Sequence, residues 1–133
     1  MPEIKGVAHF SIAVSDLDAS QEFYTDVLGL TLIRAAPAIG LVFLRAGNDH
    51  VILARSDAPT KHDPKDSRRA HHAFTVEPAK YDESKALLAS KGVDIFEEED
   101  RKTGVFVGRQ CYFYDPDGNV LEITEWDGTS RLD

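Results

Sequence analysis

Two histidines and one glutamate stand out because their side chains could together hold a metal ion. His9 and His71 each open a stretch of the form His-x-small-apolar-x-Val, and Glu122 lies between Leu121 and Ile123 in another apolar stretch. A carboxylate buried in an apolar strand costs several kcal/mol unless it is paired or bound to a cation. The pattern therefore predicts a divalent metal site built from His9, His71 and Glu122.

This ligand set also indicates what such a metal would do. Two imidazoles and one carboxylate leave coordination positions open, which favours Fe(II), with Mn, Zn, Ni or Co as alternatives. A substrate could then bind through two oxygens while the ion polarises a carbonyl, stabilises an enolate or presents O2. The alternative is a metal-free binding domain that kept these three side chains by descent.

The elements that must position these side chains form an internal repeat in which each copy reads strand, helix, strand, strand, strand. The first helix begins after Asp16 and ends at Gly29, and the second begins at Pro78 and ends at Gly92. The strands are rich in β-branched and aromatic residues. They are predicted at His9–Val14, Leu30–Arg34, Leu41–Arg45, His50–Ala54, His71–Val76, Val93–Glu97, Gln110–Tyr114 and Asn119–Glu125.

The repeat also relates individual positions of the two copies. His9 matches His71, and because Val51–Leu53 matches Val120–Glu122, Leu53 is expected to occupy the position of Glu122 in the first copy. Side chains alternate along a strand, so His50 is expected to point away from the metal. The first copy would then supply one ligand and the second copy two.

Composition excludes several classes of protein. The 133 residues are 42% apolar and 29% charged, with a net charge of −8, which argues against a basic surface for nucleic acid. No apolar stretch approaches the ~20 residues of a membrane span. The single cysteine, Cys111, excludes an intrachain disulfide, so a cytoplasmic location is expected. We predict one α+β domain, with module one at 4–55, a linker at 56–68, module two at 69–127 and a tail at 128–133.

The sequence resembles the vicinal oxygen chelate superfamily over nearly its whole length outside the linker. The most specific segment is Asp115-Pro116-Asp117-Gly118-Asn119 followed by Glu122, and the other matching segments are Val7–Leu17, Phe23–Leu30 and His71–Phe74. The superfamily includes glyoxalase I, fosfomycin-resistance enzymes, extradiol dioxygenases and bleomycin-resistance proteins. The resemblance implies a glyoxalase-like curved mixed sheet of two βαβββ modules, a homodimer, and His9, His71 and Glu122 as metal ligands.

Two subfamilies share further residues with this chain. Extradiol dioxygenases resemble Val42–His50 and have a tyrosine at the position of Tyr112, which could hydrogen-bond a substrate oxygen. Fosfomycin-resistance transferases share the three ligands, this tyrosine, a hydroxyl at Ser11 and a C-terminal arginine, here Arg131. The acidic run Glu97–Asp100, interpreted as a solvated loop, counts against them because it would repel a phosphonate.

We therefore expect a metal-dependent enzyme, a dioxygenase or a lyase/isomerase of the glyoxalase type, that acts on a small molecule. Tyr112 is the expected catalytic hydrogen bonder, and Ser11, Arg109 and Tyr114 are expected to bind the substrate. Two alternatives stay open: a metal-free ligand-binding protein of the bleomycin-resistance kind and a thiol transferase of the fosfomycin-resistance kind. Neither nucleic acid nor a membrane is an expected partner.

Overall fold

Two separately packed units, Met1–Thr60 and Lys61–Asp133, make up the structure, a computed structural model that describes residues 1–58 and 69–129. The boundary between the units lies within the predicted linker. Residues 59–68 of that linker and residues 130–133 of the predicted tail are outside the described part of the chain.

In the first unit the elements follow the predicted order. They are β1 (His9–Val14), α1 (Leu17–Glu22), β2 (Thr31–Ala36), β3 (Leu41–Ala46) and β4 (Asp49–Arg55). The sheet order is β1-β4-β3-β2, with β1 parallel to β4 and the other pairs antiparallel. Helix α1 begins after Asp16 as predicted, and Asp16 is its N-cap, because the Ala19 N–H donates to Asp16 Oδ1 at 3.1 Å. A π-helical turn, Phe23–Val27, leads to Gly29, whose φ of +86° turns the chain toward β2.

The second unit repeats this topology. Its elements are β5 (His71–Thr75), α2 (Tyr81–Ser90), β6 (Ile95–Arg101), β7 (Gly108–Tyr114) and β8 (Val120–Thr124). The sheet order is β5-β8-β7-β6, with β5 parallel to β8. Asp115 holds the turn into β8, because its Oδ1 accepts hydrogen bonds from the N–H groups of Asp117 and Asn119 at 2.9 and 2.8 Å. The internal repeat and the α+β fold of two βαβββ modules are confirmed.

Alternation along the strands gives each sheet two different faces. One face packs against the helix of its unit and carries buried apolar side chains such as Ile12 and Leu53 in the first unit and Phe113 and Leu121 in the second. We call the other side the pocket face, because a pocket opens on it in each unit. It carries His9, Ser11 and Ile52 in the first unit and His71, Tyr112 and Glu122 in the second.

The strand register corrects one predicted equivalence. Ala73 pairs with Glu122 between β5 and β8, and the matching pair between β1 and β4 is Ser11 with Ile52. Ile52 therefore corresponds to Glu122, and the prediction of Leu53 is wrong by one residue. A one-residue slip in a strand moves a side chain to the opposite face, and Leu53 is fully buried at 0% exposure.

The same register reverses the expected direction of His50. His50 pairs with His9 in the parallel β1–β4 ladder, so the two imidazoles lie on the same face of the sheet. The prediction that His50 points away was wrong for the same reason as the prediction of Leu53.

The acidic run Glu97–Asp100 is part of strand β6 and is not a loop. Its residues pair with β7, and polar or cationic side chains contact three of its four carboxylates. Lys85 Nζ lies 2.8 Å from Glu98, Lys102 Nζ lies 2.8 Å from Asp100, and Gln110 Nε2 donates to Glu99 at 2.8 Å. These cross-strand and local partners allow a strand in spite of four successive acidic side chains.

Arg109 braces the helix side of the second unit. Its guanidinium donates to Glu125 through Nη2 at 2.9 Å and to Asp82 through Nη1 at 2.9 Å, and it lies 4.6 Å from the ring centroid of Tyr81. The hydrogen bond from Arg109 lowers the pKa of Glu125. A substrate-binding role for Arg109, predicted from the sequence, is not supported, because these contacts engage the side chain on the face away from the pocket.

The corrected register leads to opposite expectations for a glutamate at two neighbouring positions. Ile52→Glu places the carboxylate on the pocket face, and we expect a folded protein that loses about 1–2 kcal/mol of buried apolar contact. Leu53→Glu buries an unpaired carboxylate under α1, at a cost comparable with the roughly 5–15 kcal/mol that stabilises a domain. Circular dichroism and urea unfolding measure both variants. A stable Leu53→Glu protein beside an unfolded Ile52→Glu protein would show that the register is wrong.

The bracing by Arg109 is expected to depend on pH. The pKa of Glu125 is lowered in the folded protein, so the ionised carboxylate stabilises the fold. This stabilisation is fully present above the ordinary pKa of 4.5 and is lost as the pH falls through the folded-state pKa. Arg109→Met should therefore lower the thermal midpoint at neutral pH by a few degrees, and the difference from the parent should shrink in acid. Lys80→Met, which removes an exposed pair with Glu83, serves as the control and should have almost no effect. Equal midpoints for the parent and Arg109→Met at neutral pH would exclude this role.

Candidate metal centre

His71 and Glu122 meet on the pocket face of the second unit. Strands β5 and β8 are neighbours, and the parallel register sets Glu122 beside Ala73, two residues along the strand from His71. His71 Nε2 lies 3.2 Å from Glu122 Oε1, and the two side chains are 31% and 8% exposed. Two ligands in adjacent positions at about 2.1 Å from an octahedral ion stand about 3 Å apart. The spacing of these two donors therefore fits a shared divalent metal.

Tyr112 lies beside this pair, on the neighbouring strand β7. It is directly opposite Glu122 in the antiparallel β7–β8 ladder, and its side chain is 1% exposed. Its ring meets the ring of His71 edge to face, with 5.7 Å between centroids. The structure thus brings together three of the residues singled out from the sequence.

The three side chains line a pocket of about 770 Å³ within the second unit. Pockets of a few hundred to about 1,000 Å³ bind small organic molecules. The pocket also contains Arg69, Ala73, Thr75, Arg101, Phe106, Gln110, Thr124 and Trp126. The His71–Glu122 pair, two guanidinium groups and the aromatic rings of Phe106, Tyr112 and Trp126 therefore share one cavity.

The charges around this pocket suit an anion. Arg69 and Arg101 line it, and among residues 1–58 and 69–129 the only carboxylate in the lining is that of Glu122. Glu97, opposite Tyr112, and Glu99, opposite Gln110, lie on the same face of β6 but outside the pocket lining, and Glu99 is engaged by Arg101 at 3.2 Å and by Gln110. No carboxylate of the acidic run lines the pocket in the described part of the chain, so the run does not by itself exclude an anionic substrate, although Arg101 shares its charge with Glu99.

The other predicted site residues lie elsewhere. Ser11 is exposed on the pocket face of the first unit, two residues after His9 along β1. Tyr114 shares the face of Tyr112 but lies outside the pocket lining, is 42% exposed and stacks on Phe96 with 4.5 Å between centroids. Arg131 is outside the described residues.

His9 belongs to the first unit, where it lines a separate pocket of about 630 Å³ together with Ile33, Arg34, Phe43, His50 and Ile52. Within residues 1–58 and 69–129, no three His, Cys, Asp or Glu side chains lie close enough to hold one metal ion. The second unit by itself offers two donors, so the three-ligand set remains a prediction.

Sequence reasoning missed several residues that line the pocket of the second unit. Arg69 and Gln110 could have been found, because each lies two positions before a singled-out residue, His71 or Tyr112, and alternation puts it on the same face. Phe106 carries no such signal, since it lies in the segment between β6 and β7. Trp126, just after β8, also lines this pocket.

Comparison with known proteins gives sequence relatives that cover most of the chain. It is 33% identical over 129 residues to the glutathione transferase FosA of Serratia marcescens, covering 97% of this chain and 86% of that protein. It is 29% identical over 125 residues to the metallothiol transferase FosB of Staphylococcus epidermidis, covering 90% and 83%. Both relatives are enzymes, which supports the general prediction of an enzyme but not the dioxygenase or lyase subclass.

A solved structure with the same fold is that of a mutant of the fosfomycin resistance protein FosX from Listeria monocytogenes, complexed with Mn(II) and 1S,2S-dihydroxypropylphosphonic acid. It matches with a TM-score of 0.74 and 22% identity, covering 98% of this chain and 94% of that chain. In the part of the chain that the structure describes, no helix is both long enough and apolar enough to span a membrane.

The family model described as Glyoxalase/Bleomycin resistance protein/Dioxygenase superfamily matches residues 6–123. Because this match extends from before β1 to within β8 and agrees with the duplicated βαβββ topology, the chain belongs to the glyoxalase/bleomycin resistance protein/dioxygenase superfamily.

Proposed function

We propose that this protein is a metal-dependent transferase that adds a thiol to an organic phosphonate, as in fosfomycin resistance. The observation that carries the proposal is the His71–Glu122 pair, 3.2 Å apart, in a pocket that also contains two guanidinium groups. The pair offers donors for a divalent ion, and the guanidinium groups suit phosphonate oxygens. The transferase relatives FosA and FosB support the same reading.

The third metal ligand in this proposal is His9, the counterpart of His71 in the first βαβββ unit. The first unit that completes the site would come from the same chain or from a second copy in a homodimer. Mn(II) is the proposed metal, because the FosX structure contains it, whereas Fe(II), favoured from the ligand types, has no such support. Ser11 lies on the same face as His9 and is proposed to hydrogen-bond the substrate.

Fosfomycin is a small phosphonate that carries an epoxide, and its modification needs an anion site and an acceptor for the ring oxygen. Arg69 and Arg101 would hold the phosphonate by charge-assisted hydrogen bonds. The thiolate sulfur bonds to one epoxide carbon, the C–O bond at that carbon breaks, and the released oxygen takes a proton to give a hydroxyl group. A bound divalent metal supplies positive charge that stabilises this oxygen. The Tyr112 hydroxyl is proposed to donate a hydrogen bond to the same oxygen.

Removing the carboxylate of the pair should weaken metal binding. Glu122→Gln keeps the size and polarity of the side chain but replaces a charged ligand, so we expect the Kd for Mn(II) to rise at least about 100-fold. Isothermal titration calorimetry of the metal-free protein measures this change. Glu97→Gln is the matched control, because it removes a carboxylate on the neighbouring part of the sheet outside the pocket lining, and it should bind Mn(II) like the parent. An unchanged affinity in Glu122→Gln would refute the metal centre.

The reaction itself can be read from its product. The Mn(II)-loaded protein, incubated with fosfomycin and glutathione, should give the thioether, detected by mass spectrometry. Arg101→Gln should lower kcat/KM by about 10–100-fold, mainly through KM, because a charge-assisted contact to the phosphonate is worth roughly 1.5–3 kcal/mol. If the diol is the only product, water and not the thiol opens the epoxide, and the assignment as a thiol transferase is wrong. If fosfomycin stays intact with glutathione, cysteine and water alike, this proposal is wrong.

A further inference from the structure

An aromatic wall lines one side of the pocket that contains His71 and Glu122. It consists of Phe106, from the segment between β6 and β7, and Trp126, just after β8. The two rings meet edge to face, with 4.9 Å between centroids and 74° between planes. Phe106 nevertheless remains 48% exposed. A large apolar ring in contact with water beside a polar site is a surface that an apolar substituent can cover.

The wall is held in position by specific contacts. Trp126 Nε1 donates to the Thr129 carbonyl oxygen at 3.0 Å, and the Trp126 N–H donates to Thr124 Oγ1 at 3.1 Å. Gly108, with φ of +125°, brings the start of β7 so close to β8 that an added Cβ would lie 2.9 Å from Glu125 Cγ. This close approach sets the segment that carries Phe106 beside Trp126.

The wall is continuous with an anion-binding group. Arg101 ends β6, immediately before the segment that carries Phe106, and it lines the same pocket. A phosphonate with only a methyl group could contact the guanidinium groups and the metal-binding pair, but it would leave the aromatic surface exposed to solvent. In a cavity of about 770 Å³, an anion with a larger apolar substituent would cover both.

We propose that Phe106 and Trp126 form a subsite for the organic substituent of the substrate, and that this protein prefers organic anions carrying an aryl group over those carrying a methyl group. The inference rests on the proposed function, because it assumes that the anionic end binds at Arg69, Arg101 and the metal pair. Fosfomycin would then be a poorer substrate than an epoxide-bearing phosphonate with an aromatic substituent.

The test compares phenylphosphonate with methylphosphonate on the full-length, Mn(II)-loaded protein by isothermal titration calorimetry. Covering the aromatic wall should make phenylphosphonate bind about tenfold more tightly. Trp126 is the only tryptophan in the sequence, so its fluorescence reports on this wall directly. Phenylphosphonate should change the emission, and methylphosphonate should change it much less.

Phe106→Ala should reduce the tenfold preference to about twofold or less while leaving the affinity for methylphosphonate unchanged. Val105→Ala is the matched control, since Val105 is an exposed neighbour in the same segment that does not line the pocket, and it should keep the preference. Circular dichroism and the molar mass in solution are compared for all three proteins, and both should be the same.

Two results would overturn the subsite. One is equal affinity for the two phosphonates in the parent protein, and the other is an equal loss of both affinities in Phe106→Ala. If neither phosphonate binds, the proposed phosphonate chemistry fails, and the pair benzoate and acetate then measures the aromatic preference by itself. A benzoate-to-acetate ratio near one would overturn the subsite as well.

Discussion

The parallel pairing of the first and last strands in each unit is the constraint on which the candidate centre depends. In the second unit it sets β5 beside β8, so that His71 and Glu122, far apart along the chain, come within 3.2 Å of each other. Period-2 alternation then decides which side chains share their face. A slip of one residue in this ladder would put His71 and Glu122 on opposite faces of the sheet, so they could not share a ligand.

The two faces of strand β7 carry side chains with different roles. Its pocket face carries Gln110 and Tyr112, whereas its helix face carries Arg109 and Cys111. Arg109 is held by two carboxylates. Burial raises the pKa of the Cys111 thiol, which keeps it protonated at neutral pH and unsuited to attack. The side chains that line the pocket and the side chains that brace the unit therefore alternate along the same seven residues.

The electrostatic character of the pocket comes from pairing as much as from composition. The chain has a net charge of −8, yet the lining of this pocket carries two arginines and one carboxylate. Lys85 and Lys102 pair with Glu98 and Asp100 of the acidic run, and no member of that run lines the pocket in the described residues. An acidic protein can thus present a local site for an anion, because a nearby opposite charge outweighs the more distant, screened ones.

The sequence alone determined the repeat, the order of elements in each unit and the caps at Asp16 and Gly29, because these depend on local patterns of apolar residues and turn formers. It also singled out His71, Tyr112 and Glu122 as chemically unusual. Only the tertiary structure decided which way side chains face. Strand register decides the equivalence of Ile52 with Glu122 and the direction of His50, and packing decides the engagement of Arg109 with Glu125. The sequence does not reveal the register, because a turn one residue longer or shorter shifts every following side chain to the other face. The position of Phe106 beside Trp126 depends on how the hairpin lies against β8, a contact between residues distant in sequence that no local pattern encodes.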